Sequence, residues 1–259
     1  MGMSNYTYPK ANKYPDLKTV YEQCSGPGGL KLAEFMADKM KLQAGKRVLD
    51  VGFNRGYQTC FLAKEYDVWM VGIDPWDDRT GEIPHVEFLM ENARNWNVKE
   101  KVLAIKVGVP DTLFADASFD YVYTSTTLEM LRGFDGEQAY QDALAEIYRV
   151  LRPGGVLGLS EPMHHDVEIP GELILRVSQE GAGAWIDFFA TLAETEVAVR
   201  AAGFEILEAA YAPDAQAWWE EYAEYDPGCR TEPDGEAATI KMDGGRWLSF
   251  GYVIARKPA

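Results

Sequence analysis

The stretch Val48-Leu49-Asp50-Val51-Gly52-Phe53-Asn54-Arg55-Gly56-Tyr57 constrains this chain more than any other. It reads as a short buried strand from Arg47 to Val51, a tight turn and the start of a helix. Gly52 and Gly56 have no Cβ, so the backbone can turn sharply there and let a ligand lie close against it. Asn54 stands between them, and Asn is one of the few other residues that tolerate positive φ. Asp50 ends the strand, and its carboxylate is expected to point into the crevice above the sheet. In open α/β sheets that crevice is where ligands bind.

A strand, glycine turn and helix can hold several ligand classes. A phosphate-binding P-loop needs Gly-Lys-Ser/Thr at the helix start, and Gly56-Tyr57-Gln58-Thr59 stands there instead. The dinucleotide fingerprint is Gly-x-Gly-x-x-Gly/Ala. Here Asn54 takes its second glycine and Tyr57 its third, where a small residue would let helix and strand pack closely. A carboxylate just before the turn faces a pyrophosphate badly and a cationic amino acid moiety well. A glycine turn in an ordinary α/β protein is the plain alternative.

A second signal follows. Val68-Trp69-Met70-Val71-Gly72-Ile73 is a continuous apolar run of strand length, as in strands buried on both faces. It ends in Asp74, about 20 residues beyond the turn, where an acid can accept hydrogen bonds from both hydroxyls of a ribose. Pro75 and Trp76 come next and could lie against an adenine face.

Three later motifs extend the pattern. Ser118-Phe119-Asp120-Tyr121-Val122-Tyr123-Thr124 reads as a strand, with Thr124 to Leu131 as the loop and helix start after it. An amphipathic helix from Glu137 to Leu151 stops at Arg152-Pro153-Gly154-Gly155 before the strand Val156 to Ser160. Ala202-Gly203-Phe204 precedes a further strand, 205–210.

Together, residues 46 to 160 resemble the class I S-adenosylmethionine-dependent methyltransferases, in the small-molecule branch of methyltransferase type 11 and phosphoethanolamine methyltransferase-like enzymes. The resemblance implies an α/β fold, a Rossmann-like, doubly wound sheet of seven strands, five of them parallel in the early chain. It implies S-adenosylmethionine as cofactor and methyl transfer to a small-molecule acceptor. Tyr21, Ser25 and Gly26 match the segment that folds over the cofactor. Asp50, Gly52, Asn54 and Gly56 form the first motif, Asp74 the ribose acid, and Pro75 and Trp76 the adenine contact. Relatives carry an Asp for the adenine amino group where this chain has Gly108, so backbone near Val109 takes that part. Thr124 opens the loop that meets the methionine amino group, and Glu129 falls near the active site. The alternatives are simple packing on the sheet for the N-terminal helices and a helix-surface carboxylate for Glu129.

Two further clusters bear on the acceptor. Glu161-Pro162-Met163-His164-His165-Asp166 leaves the fifth strand at its carboxyl end. His164 and His165 could serve as a base, stand in a polar surface loop, or join a metal site with Glu161 and Asp166; no metal is expected. Trp218, Tyr222 and Tyr225 share one helix face. They read either as lid packing or as an aromatic cage for a cationic substrate. The expected layout is an N-terminal arm and helical cap over 1–44, then a methyltransferase domain over 45–259 with insertions at about 161–190 and 211–246. Rival functions are a non-catalytic S-adenosylmethionine-binding protein and an NAD-dependent oxidoreductase.

Composition narrows the partners. A net charge of −16 disfavours nucleic acid and anionic membrane surfaces, which need Lys/Arg. No apolar run reaches the length of a membrane span, and the start lacks the pattern of a signal peptide. The three cysteines, Cys24, Cys60 and Cys229, are far apart and odd in number. They do not suggest a disulfide framework, so a cytoplasmic location is expected. A homodimer is left open.

Overall fold

A computed structural model describes residues 6–78, 80–178 and 184–259. The centre is an eight-stranded sheet whose main path runs β3-β2-β1-β4-β5-β8-β7. The strands are β1 (Arg47–Val51), β2 (Trp69–Ile73), β3 (Val102–Ile105), β4 (Phe119–Ser125), β5 (Leu151–His164), β6 (Ala190–Thr191), β7 (Glu205–Tyr211) and β8 (Leu248–Arg256). Neighbours among β1 to β5 are parallel, and β8 runs antiparallel to both β5 and β7. The order reverses between β1 and β4, which opens a crevice at the carboxyl ends of the strands.

The strand count differs from the expected seven. The added one, β6, has two residues and pairs with Met163 and His164 of β5. A segment that short carries no alternation to read. The fifth strand is also longer than its apolar core suggests. Glu161 to His164 remain in β5 because β8 pairs with them through His164↔Leu248.

Two helical layers cover the sheet. One holds α1 (Leu17–Gln23), α2 (Gly29–Met40), α3 (Tyr57–Glu65) and α4 (His85–Asn95). The other holds α5 (Leu128–Asp135), α6 (Glu137–Val150) and, beyond the short α7 (Ile174–Val177) and α8 (Trp185–Phe188), α9 (Leu192–Ala201). Side chains alternate along a strand, so Val48 packs with the first layer while Leu49 and Val51 pack with the second. Thr191 and Glu194 cap α9 reciprocally, as a capping box does.

A smaller core lies beside these layers. Leu173 and Val177 meet Trp219, Cys229, Ile240, Trp247 and Leu248 there. It joins the stretch after β5 to α10 (Ala215–Tyr225) and α11 (Glu236–Asp243), which lie between β7 and β8. The arm at the N-terminus is strapped down by Glu34, which is fully buried and accepts from the backbone N–H of Ala11 at 2.7 Å and of Lys10 at 3.0 Å.

Candidate active site

The crevice encloses about 680 Å³ including its open mouth. Val51, Gly52 and Asn54 form one side and Ile73, Asp74, Pro75 and Trp76 another. Gly108 and Val109 lie beyond β3, and Thr126, Thr127, Met130 and Leu131 beyond β4. Ser25 stands at the rim, and Trp76, half exposed, flanks the opening.

The turn has the geometry its residues allow. Gly52, Asn54 and Gly56 all have positive φ, at 79°, 51° and 74°. A Cβ at Gly52 would run into the side chain of Thr127, and one at Gly56 into Leu89. Gly56 is therefore demanded by its own φ and by close packing of α4. That differs from the expectation that space is kept there for a ligand.

Asp74 is the best-held acid at the crevice. Its Oδ2 accepts from the Asn54 N–H at 2.8 Å, and its Oδ1 from the Trp76 N–H at 2.9 Å. The carboxylate is 4% exposed. This fixes it at the end of β2 with lone pairs to spare for a ligand's hydroxyls.

Asp50 does not reach the crevice. It alternates with Leu49 and Val51, so it faces the first helical layer, where Thr59 Oγ1 donates to it at 2.5 Å. Burial pushes its carboxyl up to about 7, against the lowering effect of the Thr59 hydrogen bond. Thr124 is displaced similarly. β4 runs on to Ser125, so Thr124 is buried in the sheet with Oγ1 3.2 Å from the Val51 carbonyl it donates to. The loop residues at the crevice are Thr126 and Thr127, two and three places later.

Of the N-terminal trio, only Ser25 lines the crevice. Gly26 presses on Thr126, whose Oγ1 would lie 2.7 Å from an added Cβ. Tyr21 is buried behind it, accepts from the Gly28 N–H at 3.2 Å and stacks on Tyr225 at 6.3 Å. The third histidine, His85, was not singled out by any motif. It lines the crevice with Nδ1 3.2 Å from Asp74 Oδ2.

Glu129 is no helix-surface carboxylate. It is 1% exposed, and no other side chain donates a hydrogen bond to its carboxylate. Beside it Glu161, equally buried, accepts from the Tyr140 hydroxyl at 3.1 Å and lies 4.0 Å from Arg132. The Arg132 guanidinium sits over the Tyr140 ring at 3.6 Å. Burial raises both carboxyls, Glu129 well above the usual carboxylate range. The Glu161 charge adds to the rise at Glu129 and the Glu137 charge to that at Glu161, and Arg132 only partly offsets both.

The histidine pair lies elsewhere. Because β5 continues through His164, that ring stacks on Trp247 at 4.8 Å and faces a separate groove with Arg132 and Glu194. His165 packs edge-on against Tyr211 at 4.4 Å. Burial lowers its imidazole below the ordinary value, with Asp243 opposing. Neither lines the crevice. Among the described residues no group of three or more His, Cys, Asp or Glu is arranged to hold a metal ion.

The aromatic cage is not assembled either. Trp218 is 1% exposed and packs on Phe35 at 5.8 Å and Phe250 at 6.0 Å. Tyr222 meets Trp219 at 5.7 Å and Tyr225 meets Tyr21, so Trp218, Tyr222 and Tyr225 serve three different contacts.

Comparison with known proteins identifies the domain. The family model of a methyltransferase domain matches residues 49–159. The 27-O-demethylrifamycin SV methyltransferase of Amycolatopsis mediterranei is 29% identical over 88% of this chain and 83% of its own. The chain carries a methyltransferase domain on the fold of the class I S-adenosylmethionine-dependent methyltransferases. S-adenosylmethionine is therefore the cofactor. The methyltransferase shares its fold with the cyclase SpnF (TM-score 0.68, 23% identity, covering 89% of this chain and 82% of that one). It also resembles Haemonchus contortus phosphoethanolamine N-methyltransferase 2, solved with phosphomonomethylethanolamine and S-adenosylhomocysteine. The TM-score there is 0.72 and the identity 17%, over 98% of this chain and 59% of that one. The methyltransferase spans 24% to 47% of the length of several other curated relatives.

The crevice fits the cofactor on its own terms. It offers a fixed carboxylate, a glycine turn that brings backbone close, and apolar walls at Ile73, Pro75, Val109, Met130 and Leu131. Two buried polar atoms at it, Thr126 Oγ1 and His85 Nδ1, make no aligned hydrogen bond within the chain, and buried polar groups ordinarily find partners.

Proposed function

We propose that this methyltransferase acts on a small molecule held between the crevice and the helices after β5. The observation that carries this is the Asp74 carboxylate, fixed by two backbone N–H groups at the end of β2, with α5 walling the crevice opposite. Asp74 would hold the ribose, Pro75, Trp76 and Val109 the adenine, and the Gly52–Asn54 turn and Thr126–Thr127 loop the amino acid part. The bound cofactor supplies a methyl group already activated on a sulfonium. The chain's own work is then to orient the acceptor in line, exclude water and, where the acceptor is protonated, take up a proton.

Glu161 is the acid we assign to that proton, since burial raises its carboxyl to about 7, where it can both lose a proton and take one up near neutral pH. It is buried beside Glu129, whose carboxyl burial raises well above the usual range. His164 and His165 are left out of this role. A small acceptor, rather than nucleic acid, is supported by the charge of −16 and by relatives that act on a rifamycin precursor and on phosphoethanolamine. Among the described residues no helix is long and apolar enough to cross a membrane, and with all three cysteines free we assign the protein to the cytoplasm.

The test is release of S-adenosylhomocysteine from S-adenosylmethionine across a panel of hydroxyl- and amine-bearing small molecules. Turnover with at least one acceptor, lost in Asp74→Ala, is expected. Turnover confined to protein or nucleic acid acceptors would contradict the small-molecule reading.

A further inference from the structure

We propose that His85 belongs to the cofactor site, as a positioning residue that holds Asp74 against the ribose; this rests on the donor assignment above. His85 is the first residue of α4, 11 positions after Asp74. A closed loop brings it back. Asp77 and Pro84 form an isolated antiparallel bridge, the Asp78 N–H donates to the Ile83 carbonyl at 2.8 Å, and the His85 N–H donates to the Trp76 carbonyl at 3.2 Å.

The side chain then stands at the crevice wall, 10% exposed, with Nδ1 3.2 Å from Asp74 Oδ2 but off the line of a hydrogen bond. A buried imidazole nitrogen without a partner is costly. Within this wall the acid in reach is Asp74, whose Oδ1 is taken by Trp76 and whose Oδ2 has only the Asn54 N–H. A small rotation of the ring lets Nδ1–H donate to Oδ2. That bond sets the tautomer, leaves Nε2 as an acceptor, and fixes the plane of the carboxylate. A carboxylate whose plane is fixed keeps the free lone pair of Oδ1 aimed at the ribose hydroxyls, which is the preorganisation that binding rewards.

Calorimetric titration separates this from a packing role. The ligands are S-adenosylhomocysteine and an analogue whose ribose lacks both hydroxyls. His85→Ala should weaken S-adenosylhomocysteine binding by about tenfold, the worth of one buried hydrogen bond. His85→Asn, whose amide can donate to the same oxygen, should recover most of that loss. The analogue should bind wild type and His85→Ala within about twofold of each other, because Asp74 has nothing to hold in it. An equal loss for both ligands, or an unchanged affinity for S-adenosylhomocysteine in His85→Ala, would overturn the proposal. Wild-type protein that binds neither ligand would overturn the donor assignment itself, and the proposal with it.

Discussion

The crevice wall and the packing behind it are built from different kinds of sequence. The wall at the ends of β1 and β2 is local. Gly52, Asn54, Asp74, Pro75 and Trp76 lie on two strand exits, and their places follow from turn chemistry and from where each strand stops. The packing behind the crevice is assembled over distance. Glu129 meets Glu161 across 32 positions, and Trp218 packs on Phe35 across 183. The cofactor half needs backbone in unusual regions of φ and one fixed acid. The packing behind it needs side chains that different segments must bring together, and it shows in burial rather than in any local pattern.

If the local wall is as tightly specified as this, its glycines should tolerate least. Gly56→Val forces a branched residue to φ 74° and into Leu89. Strain and overpacking together should cost about 2–5 kcal/mol of folding stability, read by chemical denaturation. A folded variant of normal stability that no longer binds the cofactor would return Gly56 to a ligand-contact role.

On the distant side, Trp218→Ala should cost about 3–5 kcal/mol, since a large ring is removed from the core. Loss of acceptor turnover at unchanged stability would restore the aromatic cage.

Glu129 gives the comparison a pH signature. Burial raises its carboxyl well above the usual range, so as pH climbs past about 4.3 the unfolded chain gives up this proton first. Stability linked to the group is therefore full below that pH and falls as pH rises toward the folded-state value. Glu129→Gln should be close to neutral at about pH 4 and stabilising by about 1–3 kcal/mol at about pH 8. A difference that does not change with pH would mean the carboxylate is not buried in its charged form's disfavour.

The smallest effect should come from His164→Ala. Its ring stacks on Trp247 outside the crevice, so affinity for S-adenosylmethionine should stay within about twofold of wild type, inside the usual range for a distant surface change. A loss of tenfold or more would bring the post-β5 segment into the cofactor site.

The same contrast explains what could be read in the sequence. The parallel core β1 to β5 follows from apolar runs that end in glycine turns and acids, and the antiparallel β8 from the run 247–255. Asp74, Pro75, Trp76, Gly52, Asn54, Val109 and Ser25 stand out in the sequence, and all line the crevice. Thr124 missed by two residues because an apolar strand gives no mark of its last paired residue, and Thr126 and Thr127 stand in its place. Asp50 failed on alternation, since the residue before a buried Val51 must face the opposite layer. The histidine pair was misplaced because the extension of β5 depends on β8, which lies over 80 residues away. His85 carried no signal at all. The bridge between Asp77 and Pro84 brings it to Asp74.

The central claim is that Asp74 anchors S-adenosylmethionine in this crevice. Isothermal titration of S-adenosylmethionine into wild type and Asp74→Ala, each checked for folding, tests it most directly. Loss of a charge-assisted contact to both ribose hydroxyls should weaken binding by about 2–3 kcal/mol. Equal affinity in the two proteins would contradict the account.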